Sequence, residues 1–290
     1  MQDNAIIIPV YVGHAGRFLG LVNNLASLDR RGVTIVFVAT NKGEQLYFAR
    51  QCARFLDDCV ILNAEEMAAS TGGFSDFITH NQNSAIINLK KLLALKYVFL
   101  LGAANVCVLD SDVLFLSRFN GERLFQNLNQ NYSRNCIYGG HFGEPLGKEI
   151  IAHTNKFIFE PSADLGSILP AADFYSWFFD VPFYSRIHFT SFMDFLEKKY
   201  PSGWWHAINW HTFDFIIYGN FLLSQGIWKA VAYDSISPKI PEKLTPDELA
   251  LVWNNYRYHP CWVSHQSLIL SPEILSLNSD IEILYHTDRS

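Results

Sequence analysis

Two aspartates separated by a single serine, Asp110-Ser111-Asp112, interrupt an apolar run that begins near Asn105 and resumes at Val113. Aspartate is depleted in strands and costly to bury unpaired, so two of them at the end of an apolar strand call for a cation or a shared proton. Where a strand turns into a loop, residues i and i+2 can share one side, which lets both carboxylates converge on a ligand. Two hard oxygen donors, completed by water and phosphate oxygens, suit Mg2+ or Mn2+. Such an ion could bridge a diphosphate and stabilise the negative charge that develops as it leaves. The bland alternative is a strand-end turn in which each aspartate caps nearby backbone N–H groups.

The elements that must position this pair follow from apolar spacing. "AIIIPVYVG" reads as a strand, and "HAGRFLGLVNNLASLDRRG" as a helix stopped at Gly32. "VTIVFVAT", "KGEQLYFARQCARFLDD" and "CVILNAEE" continue as strand, helix and strand; after a polar stretch, "AIINLKKLLALKYVFLLGA" is a helix and "NVCVLDSDVLFL" the next strand. Strands alternating with helices predict a mostly parallel, doubly wound α/β sheet with helices on both faces, whose ligands gather at the carboxyl ends of the strands, where the aspartates fall. Beyond about residue 120 the sequence is mixed and aromatic-rich. The expected organisation is one integrated domain, with a nucleotide-binding half over 1–120 and a mixed α/β acceptor half over 121–290, and no linker between them.

With 290 residues, 49% of them apolar, the chain can bury a large core, while 15% aromatic against 17% charged residues fits aromatic-lined clefts. A net charge of −6 without a basic cluster argues against nucleic acid as the main partner. Cys52, Cys59, Cys107, Cys136 and Cys261 form no CxxC pair and read as reduced thiols of an intracellular protein. Neither a leader pattern nor an uncharged apolar run of about 18 residues is present. The expectation is a soluble, cytoplasmic chain, free to contact the inner face of a membrane.

The order of parts resembles a GT-A glycosyltransferase: an N-terminal nucleotide-binding strand, a lysine-bearing helix, then an apolar strand ending in DxD. It is more closely similar to bacterial nucleotide-sugar transferases of the DUF6492-like group. Their Q-x-x-K-L helix is matched by Asn88-Leu89-Lys90-Lys91-Leu92, with Asn in place of Gln, and their E-Y-x-x-Y-G by Asp214-Phe215-Ile216-Ile217-Tyr218-Gly219. The similarity spans roughly residues 5–225. It implies a metal-dependent transfer of sugar from a nucleotide diphosphate donor, UDP-sugar favoured, to a glycan acceptor in bacterial surface polysaccharide synthesis. A rival resemblance is to haloacid-dehalogenase-type phosphatases, in which the first aspartate attacks phosphorus; the Gly-Asp and acidic-pair segment those enzymes carry later in the chain has no match here. A non-catalytic carbohydrate-binding protein is the reading outside enzymology.

On the glycosyltransferase resemblance, Pro9, Tyr11 and Val12 would lie by the base and ribose, with Tyr11 stacking, and Thr40 and Asn41 would hydrogen-bond the nucleotide. Ordinary βα-loop chemistry explains the same residues. Asn88 and Lys91 share a helix face and would reach the nucleotide together, against the alternative of a solvated surface lysine. Asp110 and Ser111 would contact the donor, and Asp110 and Asp112 the metal, with His265 the preferred third ligand over His286. Asp214 is the expected general base and Asp180 the second choice, with Trp204, Trp205 and Trp210 packing against a sugar ring. Asp214 as a helix cap within a core segment is the structural alternative.

Overall fold

The computed structural model describes residues 1–53, 59–70, 86–111, 113–115, 119–140, 145–160, 174–175, 181–232, 261–264 and 283–286. In chain order these form β1 (Asn4–Pro9), α1 (Ala15–Ala26), β2 (Val33–Ala39), α2 (Lys42–Cys52), β3 (Val60–Asn63), α3 (Ala64–Ala69), α4 (Ile86–Leu100), β4 (Asn105–Val108) and β5 (Val113–Phe115). There follow α5 (Gly121–Tyr132), β6 (Cys136–Gly140), α6 (Pro145–Ile158), β7 (Phe174–Tyr175), β8 (Phe183–Ser185), α7 (Arg186–Lys199), α8 (Asp214–Ser224), β9 (Lys229–Ala232), β10 (Cys261–Ser264) and β11 (Ile283–His286).

The central sheet has the order β3-β2-β1-β4-β8, parallel except for the antiparallel β8 at one edge. Its strands are mostly apolar because both faces are covered, and the period of two divides their side chains between two cores. Ala5, Ile7, Val36 and Val38 pack with Leu89 and Leu92 of α4, Phe189 of α7 and Ile217 of α8. Ile6, Ile8 and Phe37 face the other way, onto Phe18 and Val22 of α1 and Leu124 and Phe125 of α5. The chain is therefore a mixed α/β protein with a mostly parallel central sheet flanked by helices. β8, from the C-terminal half, completes that sheet, and β5 joins β10 and β11 in a small second sheet, so strands from both halves share both sheets.

The structure departs from the expected elements in several places; the strand expected through Glu66, for one, ends at Asn63, where α3 begins. The apolar run around the aspartates is two strands, not one: β4 ends at Val108 in the central sheet, whereas β5 pairs antiparallel with β11. Asp110 lies outside both ladders, and Asn24 of α1 clasps β5, its amide donating to Phe115 O at 2.9 Å while its oxygen accepts from Phe115 N at 3.0 Å. Helix α1 stops at Ala26, before Gly32. There Ser27 Oγ donates to Asn24 O, and an Asp29–Arg31 pair holds the following turn. Gly32, at φ +72°, instead turns the chain into β2. A glycine does end α8: Gly226 lies one residue past the Gln225 cap, with φ +66°.

Candidate active site

The register of the central sheet brings the carboxyl ends of β1, β2 and β4 to one edge: Pro9 pairs with Val38, and Ile7 with Val108. Leu109 continues the ladder by donating to Ile7 O at 2.9 Å, and Asp110 follows it at the rim, its side chain 51% exposed. α4 runs behind this edge. From Asn88 to Leu95 it has no solvent face, Lys90 and Lys91 included. A helix that is apolar nearly all round sits inside a core, so its polar groups must find partners there.

Lys91 finds carboxylates from two distant elements. Its Nζ is 2.8 Å from Asp110 Oδ1 and 3.8 Å from Asp214 Oδ1, the first residue of α8. Asp214 is 2% exposed, and its Oδ2 accepts a short hydrogen bond from the Tyr184 hydroxyl of β8. Burial pushes the Asp214 carboxyl above the usual carboxylate range, and the Asp110 charge adds to this; the Lys91 charge and the Tyr184 hydroxyl pull the other way. Position one of a helix also favours a negative charge. The result is one ammonium shared by an exposed and a buried carboxylate at the strand edge.

Lys90, which the sequence does not single out, is the more deeply buried lysine. Its ammonium donates to Val10 O at 2.9 Å and lies 4.0 Å from Glu44 Oε2. Glu44 in turn accepts from Val12 N at 3.2 Å and Thr40 N at 2.8 Å, so this pair ties together the loops that follow β1 and β2. Burial holds Lys90 down to about 8, a drop the Glu44 charge only partly offsets.

The other expected site residues divide by geometry. Tyr11 (56% exposed) and Val12 stand open at the rim beside buried Pro9. Thr40 and Asn41 are there too, but the Asn41 side chain caps α2 by accepting from Glu44 N at 2.9 Å. Asn88 is not among the Lys91 partners; its amide donates to Asn209 O and Trp210 O, fixing the turn that leads into α8. The three tryptophans do not form one shelf. Trp204 lies in the core with Trp205 packed against it, and only Trp210, 38% exposed, presents its ring to solvent. Ser111 is half-buried. Asp112, Asp180 and His265 lie outside the described residues.

Asp110 offers hard carboxylate oxygens at a half-exposed position, the donor chemistry of Mg2+ or Mn2+, with the Lys91 ammonium already on one oxygen. The register of the second sheet adds a point that spacing alone did not reveal. Tyr285 of β11 pairs with Val113, so β11 brings His286 to the end of β5 that directly follows Asp112 in the chain.

No family model matches the chain. No curated protein matches it either. Among solved structures, mouse xyloside xylosyltransferase 1 in its apo form is similar at 12% identity and a TM-score of 0.44, over 99% of this chain and 98% of that one. Residues 1–349 of TarS from S. aureus are similar at 12% identity and a TM-score of 0.33, over 81% of this chain and 59% of that one. Among its described residues, no helix is long and apolar enough to cross a membrane.

Proposed function

We propose that this protein is a metal-dependent glycosyltransferase of the GT-A plan. It would move a sugar from a nucleotide diphosphate donor, a UDP-sugar by preference, to a glycan acceptor in bacterial surface polysaccharide synthesis. The observation that carries the reading is the meeting of Lys91, Asp110 and Asp214 at the carboxyl edge of the parallel strands, beside the exposed Tyr11 ring. Ligands of open α/β sheets bind at that edge.

In this reading Tyr11 stacks on the base, and the loops tied by Lys90 and Glu44 shape the nucleotide pocket. Asp110 and Asp112 would hold the metal, with His265, or else His286, as the third ligand. The ion would supply charge stabilisation to the departing diphosphate. Lys91, held by Asp110 and Asp214, presents its ammonium to the same developing charge. Asp214 takes the proton from the attacking hydroxyl, its raised pKa suiting a base, while Trp210 lines the acceptor side. Asp180 is the second choice of base.

The burial of Asp214 favours a second reading of that residue, in which it orients Lys91 and Tyr184 and never touches the acceptor. Asp214→Asn separates the two. A base is lost together with the acidic limb of the kcat/KM pH profile, whereas an orienting group lowers kcat/KM at every pH and leaves the limb in place.

The test of the whole reading is a thermal shift panel of UDP-, GDP- and CMP-sugars with and without Mn2+, followed by assay of donor turnover. Stabilisation by one nucleotide class, only with metal, is the expected result. Hydrolysis of a generic phosphate ester without a nucleotide response would instead identify a phosphatase acting through the DxD. Sugar binding without turnover would identify a carbohydrate-binding protein.

A further inference from the structure

Away from the Lys91 cluster, α6 and the turn before α8 bring together Glu149, His153 and His211. Glu149 and His153 stand four residues apart on α6, so they lie one above the other on a single face. His211 comes from the turn over residues 209–212. Its Nε2 lies 3.4 Å from Glu149 Oε1, and its ring stacks on that of His153 with centroids 4.8 Å apart and planes 18° apart. One donor atom from each side chain falls within 4.8 Å of the other two, and all three side chains reach solvent.

We propose that these three side chains form a second metal site, for a borderline divalent cation such as Zn2+, with water completing the coordination shell. Two imidazoles and one carboxylate are the donor set such ions prefer, and they differ from the all-oxygen set that suits Mg2+ or Mn2+ at the aspartates. Zinc bonds of about 2.0–2.1 Å put neighbouring tetrahedral ligands about 3.4 Å apart. The His211–Glu149 separation already has that value. Closing the widest gap needs a movement of about 1.4 Å, within reach of side-chain rotation at exposed positions.

The turn is already built to hold its ligand. His211 N donates to Asn209 Oδ1 at 2.8 Å, Asn209 N donates to Thr212 Oγ1 at 3.0 Å, and buried Asn88 grips the carbonyls of Asn209 and Trp210. An ion on His211 therefore ties α6 to the segment that leads directly into Asp214, and acts as a brace on the C-terminal half. This site stands independently of the transferase reading.

Calorimetric titration of chelator-treated full-length protein with ZnCl2, paired with the visible spectrum of the Co2+-loaded form, tests the proposal. To exclude binding at the aspartates, the titration is repeated in an Asp110→Asn, Asp112→Asn double variant. One equivalent of Zn2+ should still bind there, raise Tm by a few degrees, and give the intense Co2+ bands of a tetrahedral site. His153→Ala and His211→Ala should each weaken Zn2+ at least about tenfold, and Glu149→Gln should weaken it too. His153→Gln and His211→Gln, which keep side-chain bulk, repeat the comparison should either alanine variant fail to fold. Binding that is absent in the parent, unchanged in the histidine variants, or lost in the aspartate double variant would overturn the proposal and leave a simple Glu149–His211 ion pair.

Discussion

Lys91 is the residue on which the site turns. Two carboxylates compete for one buried ammonium, and the deeper of them, Asp214, carries a charge its surroundings disfavour. Between the usual carboxylate value and the raised one, the folded state binds the extra proton. The Asp214 contribution to stability therefore falls as pH rises through that window. Asp214→Asn should raise Tm by a few degrees at pH 7 while cutting turnover at least about a hundredfold, a split that calorimetry and a donor-release assay would check together. Lys91→Met should weaken donor binding about tenfold or more, measured by isothermal titration, and unchanged affinity would remove Lys91 from the site. Motif spacing picked out Lys91, Asp110 and Asp214, but not how they meet: Asn88 shares the face of Lys91 in projection, yet burial turns its amide to a backbone turn more than a hundred residues away in sequence. Lys90 ranks below Lys91 in the sequence because nothing local distinguishes a buried lysine from an exposed one; its partners, Val10 and Glu44, come from other elements.

At the scale of elements, α4 acts as the spine of the site. Leu92 is fully buried in it, and Leu92→Ala should cost about 2–5 kcal/mol in denaturant unfolding through the cavity it opens. Lys90 on the same helix gives a pH signature. Its folded value of about 8 lies below the usual 10.5, so between these the unfolded chain binds the extra proton and stability rises with pH. The stability difference between the parent and Lys90→Met should grow in the parent's favour from pH 8 to 10; a flat difference would mean that the lysine is hydrated. β1, β2 and the helix with the lysines were legible in sequence because burial on two faces writes long apolar runs. The break between β4 and β5 was not, since both flanks are apolar and only pairing with β11, far along the chain, and the Asn24 clasp assign them to different sheets.

For the molecule as a whole, strands from the two sequence halves pair with each other. β8 covers the open edge of β4, and β5 depends on β11 for its ladder. Residues 1–120 expressed alone should therefore lack a cooperative thermal transition by circular dichroism, having lost α7 and α8 from one face of the sheet. The α/β class was readable from alternation alone, whereas the partnership of the C-terminal strands with the aspartate segment belongs to tertiary pairing and leaves no local mark. The central claim is that the aspartate edge binds a nucleotide sugar through a divalent cation. It is tested most directly by titrating UDP-sugars into the parent protein and into Asp110→Asn, each with and without Mn2+. Binding in the parent that requires Mn2+ and falls at least about tenfold in Asp110→Asn is the expected result. Equal affinity in both proteins, or binding indifferent to Mn2+, would contradict the account.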